Sequence, residues 1–182
     1  MVREPGGTKL SERVRKLLLD TRSQIGPRAE LFLYLAARAQ VIDEVIRPAL
    51  ARGEMVMADR FSLSTYAYQS AGRGLPLFAV AGADQFARGG LSPDLALVLR
   101  VSAEEAGRRL RRLARRSDRI EAESAQFHDA VRAFYERWGA RKPGHRLINS
   151  EARPEEVLTR AVALIDRRLR RLSLAPVRRS RT

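Results

Sequence analysis

Apolar residues recur at intervals of three and four along much of the chain, which is the spacing of one face of an α-helix. A first helix is predicted by the apolar positions Leu10, Val14, Leu17 and Leu18. A longer helix is predicted over residues 28–50, and Pro48 should end or kink it because proline has no amide hydrogen. Further helices are predicted over residues 62–70, 76–88, 121–138 and 154–172, and from the capping box at 102–105.

Three short apolar runs separate these helices. They cover residues 55–58, 94–101 and 146–149. Such runs are typical of strands that are buried on both faces of a parallel sheet. Because strands and helices alternate, the pattern predicts an α/β fold with a parallel sheet sandwiched by helices. In such folds ligands bind at the carboxyl ends of the strands.

The chain of 182 residues has the length of about one domain and can bury a sizeable core. It has no cysteine, which excludes a disulfide framework and cysteine-ligated metals and fits a reducing compartment. No apolar run reaches the roughly 18 residues of a membrane span. The N-terminus holds no apolar stretch that could serve as a signal peptide. We therefore expect a cytoplasmic protein without a membrane partner.

The formal net charge of +14 is concentrated in two segments. Residues 108–119 carry a balance of +6 and residues 167–182 one of +7, so the rest of the chain is close to neutral. A basic nucleic-acid-binding protein is one interpretation, but these segments lack the interleaved aromatic residues that such proteins usually show. A solvated tail is the plain interpretation of the second segment.

The glycine pair at Gly6 and Gly7 precedes the first helix and predicts an anion site, because backbone N–H groups point outward there. The following Thr8 and Lys9 do not make a P-loop, which needs G-x-x-x-x-G-K-[ST]. A simple turn is the alternative.

Tyr34 and Arg38 lie one helical turn apart and share a face. They could stack on a base and bind a nearby phosphate, or be a packed tyrosine and a solvated arginine.

Asp59 and Arg60 end the first predicted strand, where a carboxylate can hold Mg²⁺ and an arginine can bind a phosphate through two N–H groups. Downstream lie polar groups suited to a base or sugar, Ser64, Thr65, Tyr68 and Gln69. The alternative is an ion pair beside a helix cap.

The arginine-rich run from residue 108 to Arg119 could close over transferring phosphoryl groups. The alternative is a solvated helix face. His128 and His145 lack partners at metal-ligand spacing, so we expect them to be ordinary core or surface residues.

Together these segments resemble one family, the bacterial thymidylate kinases. The motifs REPGGT, LAARAQ, ADRFSLSTYAYQ, GGLSPDL and DRIEAE occur in that family's order across residues 2–166. The resemblance implies a P-loop nucleoside monophosphate kinase-like fold. It implies transfer of the ATP γ-phosphate to thymidine 5′-monophosphate (dTMP), giving dTDP for dTTP synthesis, with Mg²⁺. The family usually forms homodimers through helices.

The same resemblance implies roles for individual residues. Tyr34 would stack on thymine, Arg38 would reach the base edge, and Arg60 would hold the acceptor phosphate. Asp59 would lie near the metal. The other residues implied to bind substrate are Arg3, Glu4, Arg15, Ser64, Thr65, Tyr68 and Gln69. The kinase-like domain would span residues 1–172, with a lid at 108–121 that carries Arg112, Arg115, Arg116 and Arg119, and a disordered basic tail at 173–182.

Two features depart from the family pattern. Arg100 stands where the family commonly has an acidic residue. The family begins with a strand, a P-loop and a helix, whereas Met1 and Val2 here directly precede the Arg-Glu-Pro-Gly-Gly motif. No P-loop motif occurs in the sequence. We therefore expect an N-terminally shortened thymidylate kinase that lacks the cradle for the ATP phosphates. The alternatives are a dTMP-binding remnant without catalysis and, less favoured, the nucleic-acid-binding protein.

Overall fold

The computed structural model describes residues 1–112, 117–139, 141 and 144–173. The described residues fall into two compact units. The first runs from Met1 to Ser92 and from residue 117 to Tyr135, and the second comprises the remainder. No helix within the described ranges is long and apolar enough to cross a membrane.

The first unit contains a small parallel sheet of two strands, β1 (Val2–Arg3) and β2 (Ala58–Asp59). Val2 pairs with Ala58 and Arg3 pairs with Asp59. The segments that carry the REPGGT and DRF motifs are therefore neighbours in a parallel pair, which the sequence did not predict. Since both strands run in the same direction, the residues that follow them emerge at one edge of the sheet.

Helix α1 (Lys9–Leu19) begins where the sequence predicts, because Thr8 caps it. The Thr8 hydroxyl oxygen accepts a hydrogen bond of 3.1 Å from the Ser11 amide. The Ser11 hydroxyl in turn donates to the carbonyl of Ala37 at 2.9 Å. This buried bond ties α1 to the long second helix.

Helix α2 (Pro27–Val41) packs Leu31 and Leu35 against Val80 of helix α5 (Leu77–Ala87). Pro48 was predicted to end or kink this helix, and it does not end it. The chain stays helical through a π-helical segment (Ile42–Ile46) into α3 (Arg47–Ala51). The extra residue of a π-turn is one way in which a helix accommodates a local disturbance of its hydrogen bonds.

Helix α4 (Ser62–Thr65) continues into a second π-helical segment (Tyr66–Gly72), which confirms the predicted helix at 62–70. Gly72 lies against the ring of Phe127, to which an added Cβ would approach within 2.5 Å. Helix α7 (Ala125–Trp138) contributes Phe127 and Val131 to a hydrophobic cluster of the first unit. It begins later than the predicted residue 121 because Ser124 caps it by accepting from the Phe127 amide at 3.2 Å.

The second unit contains the parallel pair β3 (Ala96–Arg100) and β4 (His145–Asn149) with helices α6 (Ala103–Arg112) and α8 (Pro154–Ser173). The predicted capping box at the start of α6 is only half formed. The Glu105 amide donates to Ser102 Oγ at 3.3 Å, but the Ser102 amide donates to Glu151 rather than to Glu105. The tail predicted to be disordered lies mostly outside the described residues.

The strands were predicted to be buried on both faces, and this is wrong. Within the run at 55–58 only Ala58 is in a strand, and the side chains of Met55 and Met57 are 62% and 49% exposed. In β3, Leu99 is 57% exposed. The described sheets have two strands each instead of forming one sheet. Each strand of a two-stranded sheet is an edge strand, so one of its sides has no neighbouring strand to cover it.

Candidate active site at the end of the first sheet

The loop between β1 and α1 holds an anion that the chain itself supplies. The Gly7 amide donates to Glu12 Oε1 at 3.0 Å, and Arg3 Nη2 lies 3.1 Å from Glu12 Oε2. Gly6 and Gly7 have φ values of 144° and 89°, which glycine adopts readily. The hydrogen bond from Gly7, with the Arg3 guanidinium beside it, lowers the pKa of Glu12. The loop is therefore more than a turn, because the Gly7 N–H group and the Arg3 guanidinium bind a carboxylate.

Arg38 lies at the centre of a buried polar network rather than in solvent. Its Nε and Nη2 donate to Glu4 Oε2 at 2.8 and 2.5 Å, and its Nη1 donates to Asp84 Oδ1 at 2.6 Å. The same Nη1 donates to Thr65 Oγ1 at 2.9 Å. The interpretation of Arg38 as a solvated surface residue is therefore wrong. The sequence-predicted residues Glu4, Arg38 and Thr65 are direct neighbours.

Two acids form ion pairs with Arg38. Asp84, from α5, is fully buried and also accepts from the Tyr66 hydroxyl at 2.6 Å. Burial and this hydrogen bond raise the pKa of Tyr66 to about 12. Burial raises the pKa of Glu4 above its ordinary value although Arg38 opposes the shift. Glu4 Oε1 has no hydrogen-bond partner among the described residues and is free to accept one.

Arg60, directly after β2, has a φ of 71°, which is uncommon for a residue with a Cβ. Non-glycine residues in this conformation cluster at functional sites. Its guanidinium lies 5.0 Å from the centre of the Tyr68 ring. Ser64 Oγ and the Tyr135 hydroxyl are 2.7 Å apart. Helix α4 has no side-chain cap, so the helix-cap part of the alternative interpretation finds no support.

Tyr34 is half-buried on α2, one turn before Arg38. Burial, reinforced by the nearby Glu30 carboxylate, raises the pKa of Tyr34 to about 12. Arg15, on α1, donates from Nη1 to the carbonyl of Pro5 at 3.1 Å. Arg15 is therefore attached to the loop that precedes its own helix.

Glu30, in the first turn of α2, is fully buried and accepts hydrogen bonds from three side chains. Gln69 Nε2 lies 2.9 Å from Oε1, Arg73 Nη2 lies 2.9 Å from Oε2, and Arg119 Nη2 lies 2.6 Å from Oε2. Burial alone would raise the pKa of Glu30, but these three donors outweigh it and hold the pKa below its ordinary value.

The predicted lid is described only in part. Arg112 is exposed at the end of α6 in the second unit, while Arg115 and Arg116 lie outside the described residues. Arg108 and Arg109 form ion pairs with Glu105 on α6. Arg119 is held on Glu30 and on the carbonyl of Leu18, to which its Nε donates at 2.7 Å.

Among the described residues no cluster of three or more histidine, aspartate or glutamate side chains could hold a metal ion by itself. Asp59 is an exposed carboxylate at the strand end. A single carboxylate fits Mg²⁺ in a phosphoryl-transfer site, because this ion is usually bound through one or two carboxylates, water and the phosphates of the substrate.

Sequence reasoning missed Glu30, Arg73 and Asp84, which support the predicted site residues. Glu30 has the pattern of an ordinary acidic residue in the first turn of a helix, which needs no partner. Asp84 lies in a largely apolar helix, and a lone acid in such a segment was the one signal that pointed to a buried ion pair.

Two parallel strand pairs with helices around them define an α/β protein, and in such proteins ligands bind at the carboxyl ends of the strands. A family model described as thymidylate kinase matches residues 1–162. The chain belongs to the thymidylate kinase family.

Individual relatives agree with this assignment. The chain is similar to the thymidylate kinase of Pseudomonas putida (strain W619), with 45% identity over 165 residues that cover 89% of this chain and 78% of the relative. It is 43% identical to the thymidylate kinase of Desulfovibrio desulfuricans (strain ATCC 27774 / DSM 6949 / MB) over 179 residues, which cover 94% of this chain and 82% of the relative.

Proposed function

We propose that this chain serves the thymidylate kinase reaction, in which the γ-phosphate of ATP is transferred to dTMP to give dTDP. The observation that carries the proposal is the meeting of the REPGG and DRF motifs at one end of the parallel pair β1 and β2. This pairing brings Glu4 and Arg60 to the same sheet edge, where ligands of α/β folds bind.

The nucleoside part of dTMP would be bound by residues of the first unit. Tyr34 supplies an aromatic ring for stacking on thymine, and Tyr68 is a second ring that Arg60 already covers on one side. Arg38, held by Glu4 and Asp84, presents a fixed guanidinium to the base edge. Ser64, Thr65 and Gln69 would complete the lining of this pocket.

The acceptor phosphate would be bound by Arg60, with Arg3 and Arg15 near the entrance to the loop. Mg²⁺, held at Asp59 and by the phosphates, would neutralise charge on the transferring group. Binding the phosphate through two N–H groups of Arg60 would orient the acceptor oxygen, which is the main demand of phosphoryl transfer. Arg112, Arg115 and Arg116 would act on the ATP phosphates as part of a lid at 108–121, with Arg119 as its anchored end.

Further parts of the proposal rest on family resemblance. The kinase-like domain would span residues 1–172, with a basic tail at 173–182. The protein would act in the cytoplasm as a homodimer, with dTMP and ATP as its small-molecule partners and no nucleic-acid partner.

Calorimetric titration of the purified chain with dTMP tests the acceptor site. We expect saturable binding that Arg60→Lys weakens, since lysine keeps the charge but cannot bind a phosphate through a planar pair of N–H groups. Arg52→Lys is the matched control, because Arg52 forms an exposed pair with Glu54 outside this site. Absence of saturable dTMP binding, with salt-dependent binding to unrelated DNA instead, would favour a nucleic-acid-binding protein.

A further inference from the structure

Glu30 holds side chains from two separate parts of the first unit. Gln69, in the π-helical segment Tyr66–Gly72, and Arg119, in the turn before α7, both donate to its carboxylate. Gln69 donates to Oε1 and Arg119 to Oε2, and Arg73 bridges the two oxygens with its Nε and Nη2. One buried carboxylate therefore connects a residue proposed to line the nucleoside pocket with the last arginine of the arginine-rich run.

The charge of this cluster is balanced within it. Arg73 Nη1 also lies 2.6 Å from Glu123 Oε1, so two guanidinium groups face two carboxylates. The Glu30 side chain is 0% exposed, and Arg119 and Arg73 are 10% and 14% exposed. A buried ion cluster without a net charge avoids the high cost of an uncompensated buried ion, so it can hold a defined geometry.

The carboxylate also determines which end of the Gln69 amide faces it. An ionised carboxylate only accepts hydrogen bonds, so the NH₂ group of Gln69 must point toward Glu30 and its carbonyl oxygen away. Glu30 lies one helical turn before Tyr34 on α2. The same helix therefore carries the carboxylate that orients the Gln69 amide and the ring proposed to stack on thymine. A neutral side chain at position 30 would no longer select this amide orientation.

Arg119 anchors its segment at two further points. Its Nε donates to the carbonyl of Leu18 and its backbone amide donates to the carbonyl of Leu19 at 3.2 Å, both at the end of α1. Loss of the Glu30 contact would leave Arg119 bound to α1 alone. The position of this segment and the orientation of Gln69 thus depend on the same carboxylate.

We propose that Glu30 is a positioning residue. It couples the Gln69 amide to Arg119, in the turn at 118–121, and thereby organises the nucleoside pocket for dTMP. The inference rests on the proposed function, because it takes Gln69 to line the dTMP site. Glu30 itself does not touch the nucleotide and acts through the residues that it holds.

The first test compares dTMP affinity by calorimetry in the parent chain, in Glu30→Gln and in the matched control Glu123→Gln. The control makes the same chemical change next to Arg73 but removes no contact to Gln69 or Arg119. We expect about ten- to hundredfold weaker dTMP binding for Glu30→Gln, as for loss of a charged hydrogen-bond partner, and little change for Glu123→Gln. Equal effects of the two variants, or no effect of Glu30→Gln in a folded protein, would overturn the inference.

The second test keeps Glu30 and decides the matter even if Glu30→Gln fails to fold. Gln69→Met and Arg119→Met are made singly and together, and dTMP affinity is measured with the melting temperature. We expect the double variant to bind dTMP at least about threefold more tightly than the product of the two single losses predicts, because both residues act through Glu30. Additive losses would show that Glu30 is merely structural. If the parent chain itself binds no dTMP, the proposed function is wrong, and the inference that rests on it is wrong as well.

Discussion

Arg60 combines an unfavourable backbone conformation with a position at the end of β2. The left-handed conformation costs a residue with a Cβ roughly 1–2 kcal/mol, so surrounding contacts must hold it there. The Tyr68 ring beneath the guanidinium provides one such contact. Arg60 thus begins the loop at the sheet edge that the REPGG motif also reaches.

Arg60→Lys should weaken dTMP binding by about 1–3 kcal/mol, because one point charge replaces two parallel charge-assisted hydrogen bonds. Calorimetric affinity measured on this variant and on Arg52→Lys gives the comparison. An unchanged dissociation constant for Arg60→Lys would remove Arg60 from the phosphate site.

Tyr34 provides a test of stacking that does not involve charge. Tyr34→Phe keeps the ring and should bind dTMP as the parent does, whereas Tyr34→Ala should lose about 1–3 kcal/mol of binding free energy. The measurement is again dTMP titration, with circular dichroism to verify the fold. If a folded Tyr34→Ala variant matches the parent, Tyr34 is a packing residue only.

Glu30 should make stability depend on pH. Its pKa is lowered in the folded state, so the stabilisation that it provides is complete above the pKa of the unfolded chain. That stabilisation is lost as the pH falls through the lower, folded pKa. We expect the unfolding free energy from urea titrations to fall less between pH 7 and pH 3 in Glu30→Gln than in the parent. Identical pH dependence would contradict the role of Glu30 as a buried, ionised acceptor.

At the scale of elements, caps decide where the helices begin. Thr8 begins α1 and Ser124 begins α7, and in both cases a hydroxyl accepts the amide of the residue three positions on. The sequence located the first of these starts and placed the second too early. The turn at 118–121 explains the difference, because Asp118 Oδ1 accepts from the amides of Ile120 and Glu121 and forms a separate turn before the helix.

Thr8→Ala should lower the free energy of unfolding by about 1 kcal/mol, since the Ser11 amide loses its acceptor. Thr8→Ser retains a hydroxyl and should recover most of the loss. Urea denaturation of the three proteins measures the effect. If alanine and serine variants are equally stable, the cap contributes nothing to α1.

At the scale of the whole molecule, the described residues include those of the proposed acceptor site, while the sequence contains no P-loop motif. A P-loop contributes backbone N–H groups, a lysine and a hydroxyl to the binding of ATP phosphates and Mg²⁺. Loss of one catalytic hydrogen-bond donor typically lowers the rate by about 10²–10³-fold, and several such losses combine.

The 182 residues, purified as they stand, should therefore bind dTMP without converting it to dTDP in the presence of ATP and Mg²⁺. A fusion protein in which a strand, a P-loop and a helix are placed ahead of these residues should show turnover, which a coupled assay of ADP formation measures. Robust turnover by the 182 residues alone would show that another group of these residues, such as the Gly6–Gly7 loop, binds the donor phosphates.

The sequence by itself determined the alternation of strands and helices, the parallel α/β class and the motifs of the proposed acceptor site, because periodicity, caps and motif spacing are local properties. Only the tertiary structure decided that Arg38 is buried between Glu4 and Asp84 and that Glu30 joins Gln69 to Arg119. Those partners lie 34, 46, 39 and 89 positions apart in the chain. No local pattern identifies a partner at such separations, since the choice of partner for a buried charge depends on which helices pack together.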